Sequence, residues 1–348
     1  MILPQTYLAT LSLMILSMLC WGSWANTFKL AGKKWRFELF YFDYAFGVLL
    51  AAVLYALTAG SLGFDGFSFL DDLMHAGKRQ WLYGFSGGVV FNLANMLLVA
   101  AISVAGLAVA FPVGIGMALI IGVVWNYAIK PNGNPYLLFA GCAVIVVAIV
   151  VDAMAYRALA AIRQEAEAKA GRARTTARKV SVKGIVLSLV SGVLMGCFFP
   201  LVVKGQEGDA GLGPYAVGFV FAVGVFMSTF VFNLFFMNLP VEGPPVEMLE
   251  YFRGGFRQHL LGIVGGAIWC SGTLANFVAA SAPEEVHVGP AISYAIGQGA
   301  TMVSALWGLL VWKEFAGADA RAKALITVML VLFVCGLGLV SVAPLFTR

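Results

Sequence analysis

The sequence predicts an all-α membrane protein: ten transmembrane helices in a five-plus-five inverted repeat, the second half entering the membrane the opposite way up. Three observations carry that prediction. The 348 residues are 61% hydrophobic and 11% charged, with a mean hydropathy of +0.91, where soluble domains run to roughly 25% charged. Ten long apolar stretches follow one another along the chain. The two halves also share residues at a nearly constant offset.

The first stretch, 6–28, has neither a positively charged start nor a small-x-small cleavage site, so it reads as a span and not as a signal peptide. The second covers 39–60. The third and fourth, 81–103 and 106–129, lie within a run from Trp81 to Ile129 that holds no Asp, Glu, Lys, Arg or His. As one helix that run would reach roughly 73 Å, too long for one crossing of a hydrocarbon core of about 30 Å and right for two. The small residues Ser103, Val104, Ala105 and Gly106 mark the bend. The fifth stretch, 135–155, precedes the longest polar segment, 156–183, which is rich in Ala, Arg and Glu and reads as a partly helical cytoplasmic linker near anionic headgroups. It contains no G-x-x-x-x-G-K-[ST] loop, which leaves an ATP-driven pump unsupported. The second half, 184–348, supplies stretches at 184–203, 213–238, 260–282, 288–312 and 324–345.

Basic residues set the orientation. Loops after stretches 1, 5, 7 and 9 hold seventeen Lys and Arg, among them Lys29, Lys33, Lys34, Arg36, Arg172, Arg174, Arg178 and Lys179. The other side holds five: Lys78, Arg79, Lys130, Lys204 and Arg348. The positive-inside rule places the seventeen in the cytoplasm and both termini outside, in a bacterial inner membrane or a plasma membrane. The net charge of +5 belongs to those loops and does not imply a nucleic-acid partner. Five cysteines lie in apolar stretches without a pairing pattern, and His75, His259 and His287 are scattered, so neither a disulfide framework nor a metal site is expected.

The repeat emerges on shifting the hairpin by 178 positions. Gly87 and Gly88 then fall on Gly265 and Gly266, Ser103 on Ser281, and Pro112 on Pro290. At a shift of 177, Phe42, Ala45, Gly47 and Val48 meet Phe219, Ala222, Gly224 and Val225. The halves are residues 1–155 and 184–348, five spans each, so the second is inverted. Many secondary transporters place their substrate near the midplane between such halves.

Polar residues inside the spans mark the expected site. Gly84, Gly88, Asn92 and Asn95 share one helical face. Trp269 and Asn276 lie on one stripe of the eighth stretch, and Tyr294 and Gln298 on one face of the ninth. Amides in hydrocarbon are costly unless hydrogen-bonded, so they face protein or a cavity. The alternative is ordinary packing with amides as glue. The expectation is that Asn92, Asn95, Trp269, Asn276, Tyr294 and Gln298 line one central cavity, with Trp21 and Asn26 beside it. Pro112 and Pro290 are expected to loosen or break their helices. No carboxylate pair, Ser–His pair or metal cluster stands at membrane depth, so no catalytic residue and no cofactor are expected. No charged ring or carbonyl-filter motif suggests a channel.

Several runs carry a family resemblance: CWGSWANTFKL (Cys20–Leu30), WRFELFYFDY (Trp35–Tyr44), GGVVFNLANMLLVAAI (Gly87–Ile102), AVAFPVGIGMAL (Ala108–Leu119), AISYAIGQGAT (Ala291–Thr301) and LWGLLVWKEF (Leu306–Phe315). Together they resemble the ureide permease family of the drug/metabolite transporter superfamily, over nearly the whole chain. The chain departs from plant members at Phe28, where they carry Gln, and in a shorter central loop without their phosphate-loop-like motif. The resemblance implies ten helices in an inverted repeat and proton-coupled uptake of allantoin or related oxo-heterocycles such as uracil or xanthine. Its partners would be a small-molecule substrate, protons and the lipid bilayer. A pocket of amides and aromatic walls also suits a monosaccharide such as glucose or rhamnose, carried by relatives in the same superfamily.

Proton coupling needs an ionisable group within or beside the spans. Asp43, about 6 Å inside the second stretch, is the first candidate, with an ion pair to Lys29 or Arg36 as its structural alternative. Glu38 at the membrane boundary comes next, and Asp152 falls near the cytoplasmic end of the fifth stretch.

Overall fold

Hydrocarbon offers a backbone no hydrogen-bond partners, so a chain this apolar satisfies its peptide groups within helices. The computed structural model describes residues 1–32, 34–105, 107–169, 182–240, 244–286 and 288–346, and among them every regular element is helical. In order these are α1 Tyr7–Ser23, α2 Ala25–Ala31, α3 Phe37–Leu57, α4 Phe69–His75, α5 Lys78–Ala105, α6 Leu107–Ile129 and α7 Pro135–Lys169. Then come α8 Val182–Gly205, α9 Pro214–Asn238, α10 Leu249–Phe252, α11 Phe256–Ala280, α12 Pro290–Gly297, α13 Ala300–Leu306 and α14 Ala320–Val342. Ten stretches are long and apolar enough to cross a membrane. Three of them are composite: α1 runs into α2, α12 and α13 continue into a π-helical turn at Trp307–Val311, and α14 ends in a 3-10 turn at Ala343–Phe346. Lys33, Gly106, Arg172, Arg174, Arg178, Lys179, His287 and Arg348 lie outside the described residues.

Local chemistry explains the helix ends. The Thr6 hydroxyl accepts from Ala9 N at 3.2 Å and the Asp319 carboxylate from Ala322 N at 2.8 Å, capping α1 and α14. Pro214 and Pro290 open α9 and α12 in the first turn, where a missing N–H costs nothing. This corrects one expectation: Pro290 starts a helix and does not break one. Pro112 also leaves α6 continuous. The ninth span breaks instead at Gln298–Gly299, between α12 and α13. The fifth helix passes the expected end at 155 and runs to Lys169, because the Ala-, Arg- and Glu-rich sequence beyond is itself a strong helix former.

Both the outer surface and the interior are apolar. Leu54 on α3, Val147 on α7 and Val331 on α14 are exposed where lipid would lie. The interior is aromatic, with Phe40, Tyr41, Tyr44, Phe199, Phe221, Phe277 and Tyr294 almost fully enclosed. The central helices pack α3 on α9 and α11, α5 on α8 and α9, α1 on α11, and α6 on α8 and α12; α7 pairs with α14.

The two tightest crossings are built by glycine. At α3–α11, a Cβ on Gly47 would overlap the carbonyl of Ile263, and one on Gly266 would overlap the carbonyl of Tyr44. At α5–α9, Gly88 and Gly224 stand in the same relation to the carbonyls of Phe221 and Phe85. Backbone meets backbone at both, so even a methyl group forces the helices apart. Gly88→Ala and Gly266→Ala should therefore lower the melting temperature of the purified protein, overpacking costing about 1–3 kcal/mol. Gly338→Ala on α14, where the added carbon meets open space, should hold or slightly raise it. Equal behaviour of all three would contradict the crossings as described.

Candidate functional site

Where the central helices splay away from those crossings they leave a cavity of about 380 Å³. Its lining residues Phe91, Met195, Trp269 and Gln298 each fall near the middle of their spans, so this end lies near the membrane midplane. From there the wall passes Trp21, Asn95, Trp24 and Phe28 to Asp152, Tyr156 and Ser304, on the side of the basic loops. Trp269 organises the inner end: its ring lies 4.3 Å from Phe91, 6.0 Å from Phe221 and 6.4 Å from Trp21, centroid to centroid and nearly parallel in each case. The Trp21 indole is held by its N–H, which donates to Thr273 Oγ1 at 3.0 Å.

Beyond the midplane the interior closes. Phe199, Phe277 and Tyr294 pack ring against ring at 5.3–5.5 Å, joined by Phe198 and Phe221. The Tyr294 ring reaches α6 over Gly122, where a Cβ would overlap it. A separate space of about 500 Å³, lined by Lys130, Val203, Gln206, Ser281 and Pro290, lies on the far side. Along α8 the succession is direct: Met195 and Phe198 line the cavity, Phe199 belongs to the plug, and Val203 lines the far space.

Of the residues expected from sequence, the cavity gathers Trp21, Asn95, Trp269 and Gln298, with Pro112 on its wall. The others lie elsewhere, and the hydrogen bonds say why. Asn92 is fully buried: its Oδ1 accepts from the Tyr41 hydroxyl at 2.8 Å, and its Nδ2 donates to Val225 O, Ser228 Oγ and Thr229 Oγ1 at 2.8–3.2 Å. That amide stitches α5 to α3 and α9. Asn276 likewise ties α11 to α1 and α12, donating to Ser17 Oγ and Ser293 O and accepting from Ser293 Oγ. Asn26 donates to Ser23 O and accepts from Trp312 Nε1 at 2.6 Å. Tyr294 is part of the plug, and Pro290 belongs to the far space.

Asn95 and Gln298 differ from those amides in having hydrogen-bonding capacity left. Asn95 Nδ2 donates to the Tyr41 hydroxyl at 3.0 Å, and among the described residues Oδ1 takes no bond. The Gln298 side chain has no hydrogen bond to a described residue. Both line the cavity.

Charged groups are sorted in the same way. Asp43 stands outside the cavity wall, with Tyr251 donating to Oδ1 at 2.6 Å and His259 Nδ1 lying 2.8 Å from Oδ2; its partners are thus neither Lys29 nor Arg36. Glu38 is held by Arg36 at 2.7 and 3.1 Å. Lys29 pairs with Glu314 at 2.7 Å while lying over the Trp312 ring, and the Tyr156 hydroxyl reaches the other Glu314 oxygen at 3.2 Å. The carboxylate on the cavity wall is Asp152. Sequence position undervalued it because the helix was expected to stop at 155. The aromatic residues Trp24, Phe28, Phe37, Phe91 and Phe198 also line the wall, and no pattern in so aromatic a chain sets them apart.

The chain is similar to known proteins in sequence and in fold. The sequence profile of the ureide permease family matches residues 40–184. The chain is 23% identical to Ureide permease 1 of Arabidopsis thaliana over 369 residues, covering 92% of this chain and 93% of that one. It is 24% identical to Ureide permease 4 of the same plant over 393 residues, covering 94% of each. The expected resemblance is borne out. In fold the chain is similar to a protein known from a crystal structure, at a TM-score of 0.58 and 16% identity over 96% of each chain.

The division of the amides is open to measurement. Asn92→Ala removes the acceptor of a buried tyrosine and three donated bonds, so it should destabilise by about 1–3 kcal/mol and lower the melting temperature in detergent. Asn95→Ala, which leaves Tyr41 bonded to Asn92, should melt close to the unmodified protein. The reverse order would contradict the assignment.

Proposed function

We propose that this chain, similar over nearly its whole length to ureide permeases, is a secondary transporter importing a small neutral oxo-heterocycle. The solute is an allantoin-type ureide, or uracil or xanthine, moved by proton symport with alternating access. At the coarser level it is an integral membrane transporter and not an enzyme. The observation that carries the reading is the cavity reaching mid-membrane, where the amides of Asn95 and Gln298 face open space among indole and phenyl rings. Amides both donate and accept, which suits a solute made of N–H and C=O groups, and aromatic walls suit a flat ring. With Asp152 on the wall and Lys29 held in its pair, the cavity offers an anionic solute no free cation among the described residues. The names of the relatives point to the same solute class.

Alternating access between two inverted halves, residues 1–155 and 184–348, is supported by the packing. Exchanging the halves turns α3–α11 into α9–α5 and α1–α11 into α8–α5, and both members of each pair are in contact. The glycine crossings exchange in the same way: Gly47 with Gly224, and Gly266 with Gly88. In our reading the basic loops, and residues 156–183 among them, are cytoplasmic. The cavity then faces the cytoplasm, and the Phe199–Phe277–Tyr294 plug closes the outside.

A thermal-shift screen of purified protein against allantoin, uracil, xanthine, glucose and rhamnose tests the solute class. One or more of the heterocycles should raise the melting temperature and the sugars should not. Asn95→Ala or Gln298→Ala should weaken the binding tenfold or more, a lost buried hydrogen bond costing about 1–3 kcal/mol. Stabilisation by a sugar alone, or undiminished affinity in both variants, would overturn the reading.

A further inference from the structure

We propose that Asp152 carries the coupling proton, so that the charge moved with the solute is bound on the wall of the solute cavity itself. This rests on the transport reading above and adds the coupling residue to the same site.

The argument begins from what surrounds the carboxyl. Asp152 is 7% exposed, lines the cavity, and has one oxygen, Oδ1, enclosed without a hydrogen-bond partner among the described residues. An ionised carboxylate buried without donors is among the costliest groups a protein can hold. Its cost is relieved by a cation, by a donor, or by a proton. No cation is in place among the described residues. Of the helices packed on α7, α6 contains no charged residue, and the charged residues of α14 are Arg321 and Lys323 in its first turn. On α7 itself the nearest titratable neighbour is Tyr156, one turn on, whose hydroxyl lies 3.2 Å from Glu314. Lys29, which pairs with that Glu314 at 2.7 Å, is already engaged. A donor could come from the solute, but a fixed anion would then select cationic solutes, and the Asn95 and Gln298 amides on the same cavity wall suit neutral ones. A proton resolves both demands: the group is neutral when it shares the cavity with solute and charged when water reaches it.

Position supports the same role. Asp152 shares the cavity wall with the Asn95 and Gln298 amides, and one turn further along α7 Tyr156 reaches the Glu314 that pairs with Lys29. With the cavity open on the side of the basic loops, the carboxyl O–H bond breaks, the proton leaves to water, and the carboxylate remains; protonation from the other side reverses the step. No electrons change hands. Asp43 and Glu38 lack these properties. Asp43 has both oxygens engaged by Tyr251 and His259, Glu38 is clamped by Arg36, and neither lines the cavity. Ionisable groups retained within spans are where proton relays are found.

Two measurements on the intact protein decide the matter separately. Infrared difference spectra between acid and alkaline pH, recorded on purified protein without any solute, should show a titrating carboxyl that is absent in Asp152→Asn and present in Asp43→Asn. Identical titration in Asp152→Asn and the unmodified protein would overturn the proposal whatever the solute turns out to be. In liposomes, Asp152→Asn should exchange radiolabelled allantoin or uracil across the membrane but fail to accumulate it under a pH gradient, and Asp152→Glu should recover accumulation. Accumulation by Asp152→Asn, or loss of exchange together with accumulation, would overturn it too, the second because it assigns the residue to solute binding or folding. If the unmodified protein moves neither solute, the solute reading fails, and the infrared result still decides Asp152.

Discussion

Inside a bilayer, an apolar side chain gains nothing by exchanging lipid for another apolar side chain, so helices associate only where they fit closely or bond. The rest of this structure depends on that constraint. The glycines at 47, 88, 224 and 266 let α3 meet α11 and α5 meet α9 with carbonyl oxygens against bare Cα atoms. Asn92 and Asn276 bond across neighbouring helices to hold the arrangement. Helices that touch so closely at one level must diverge at another, and the cavity occupies the divergence. Small residues are therefore both the reason the bundle holds and the reason it has room inside.

The interior polar groups differ in how far their bonding capacity is filled, and unfilled capacity is not confined to the cavity. Tyr44 Oη and Asn126 Oδ1 are also buried without a partner among the described residues. Asn92, Asn276, Asn26, Asp43 and Glu38 have their bonding capacity filled by neighbouring helices or loops. Asn95, Gln298 and Asp152 retain unfilled capacity and line the cavity. A buried polar atom without a partner is costly; in our reading a solute completes the Asn95 and Gln298 amides, and a proton relieves Asp152. The aromatic plug of Phe199, Phe277 and Tyr294 adds direction, closing the space on one side and leaving the other nearer to the basic loops.

Hydropathy located all ten spans because the cost of an unbonded backbone in lipid imposes length and composition together. The glycines at 47, 88, 224 and 266 stand out in the sequence by their nearly equal offsets, and all four lie at close helix crossings. The roles of individual amides are not legible in this way: Asn92 and Asn95 share one helical face, and a rotation within that face separates a structural stitch from a side chain on the cavity wall. Pro112 and Pro290 misled because a proline is tolerated within a membrane helix and welcome in a first turn. Asp152 was undervalued because helix propensity carries α7 past the point where hydrophobicity ends, placing a residue of the expected boundary within the bundle.

The most direct measurement is solute protection of a single cysteine inside the cavity. With the five native cysteines replaced, Ala153→Cys on the cavity wall and Gln206→Cys in the far space would each be labelled by a membrane-impermeant maleimide in open membranes. A solute that the protein exchanges should slow labelling at position 153 and leave position 206 unchanged. Labelling at 153 that proceeds at the same rate with saturating solute would contradict the cavity's role as the transport site.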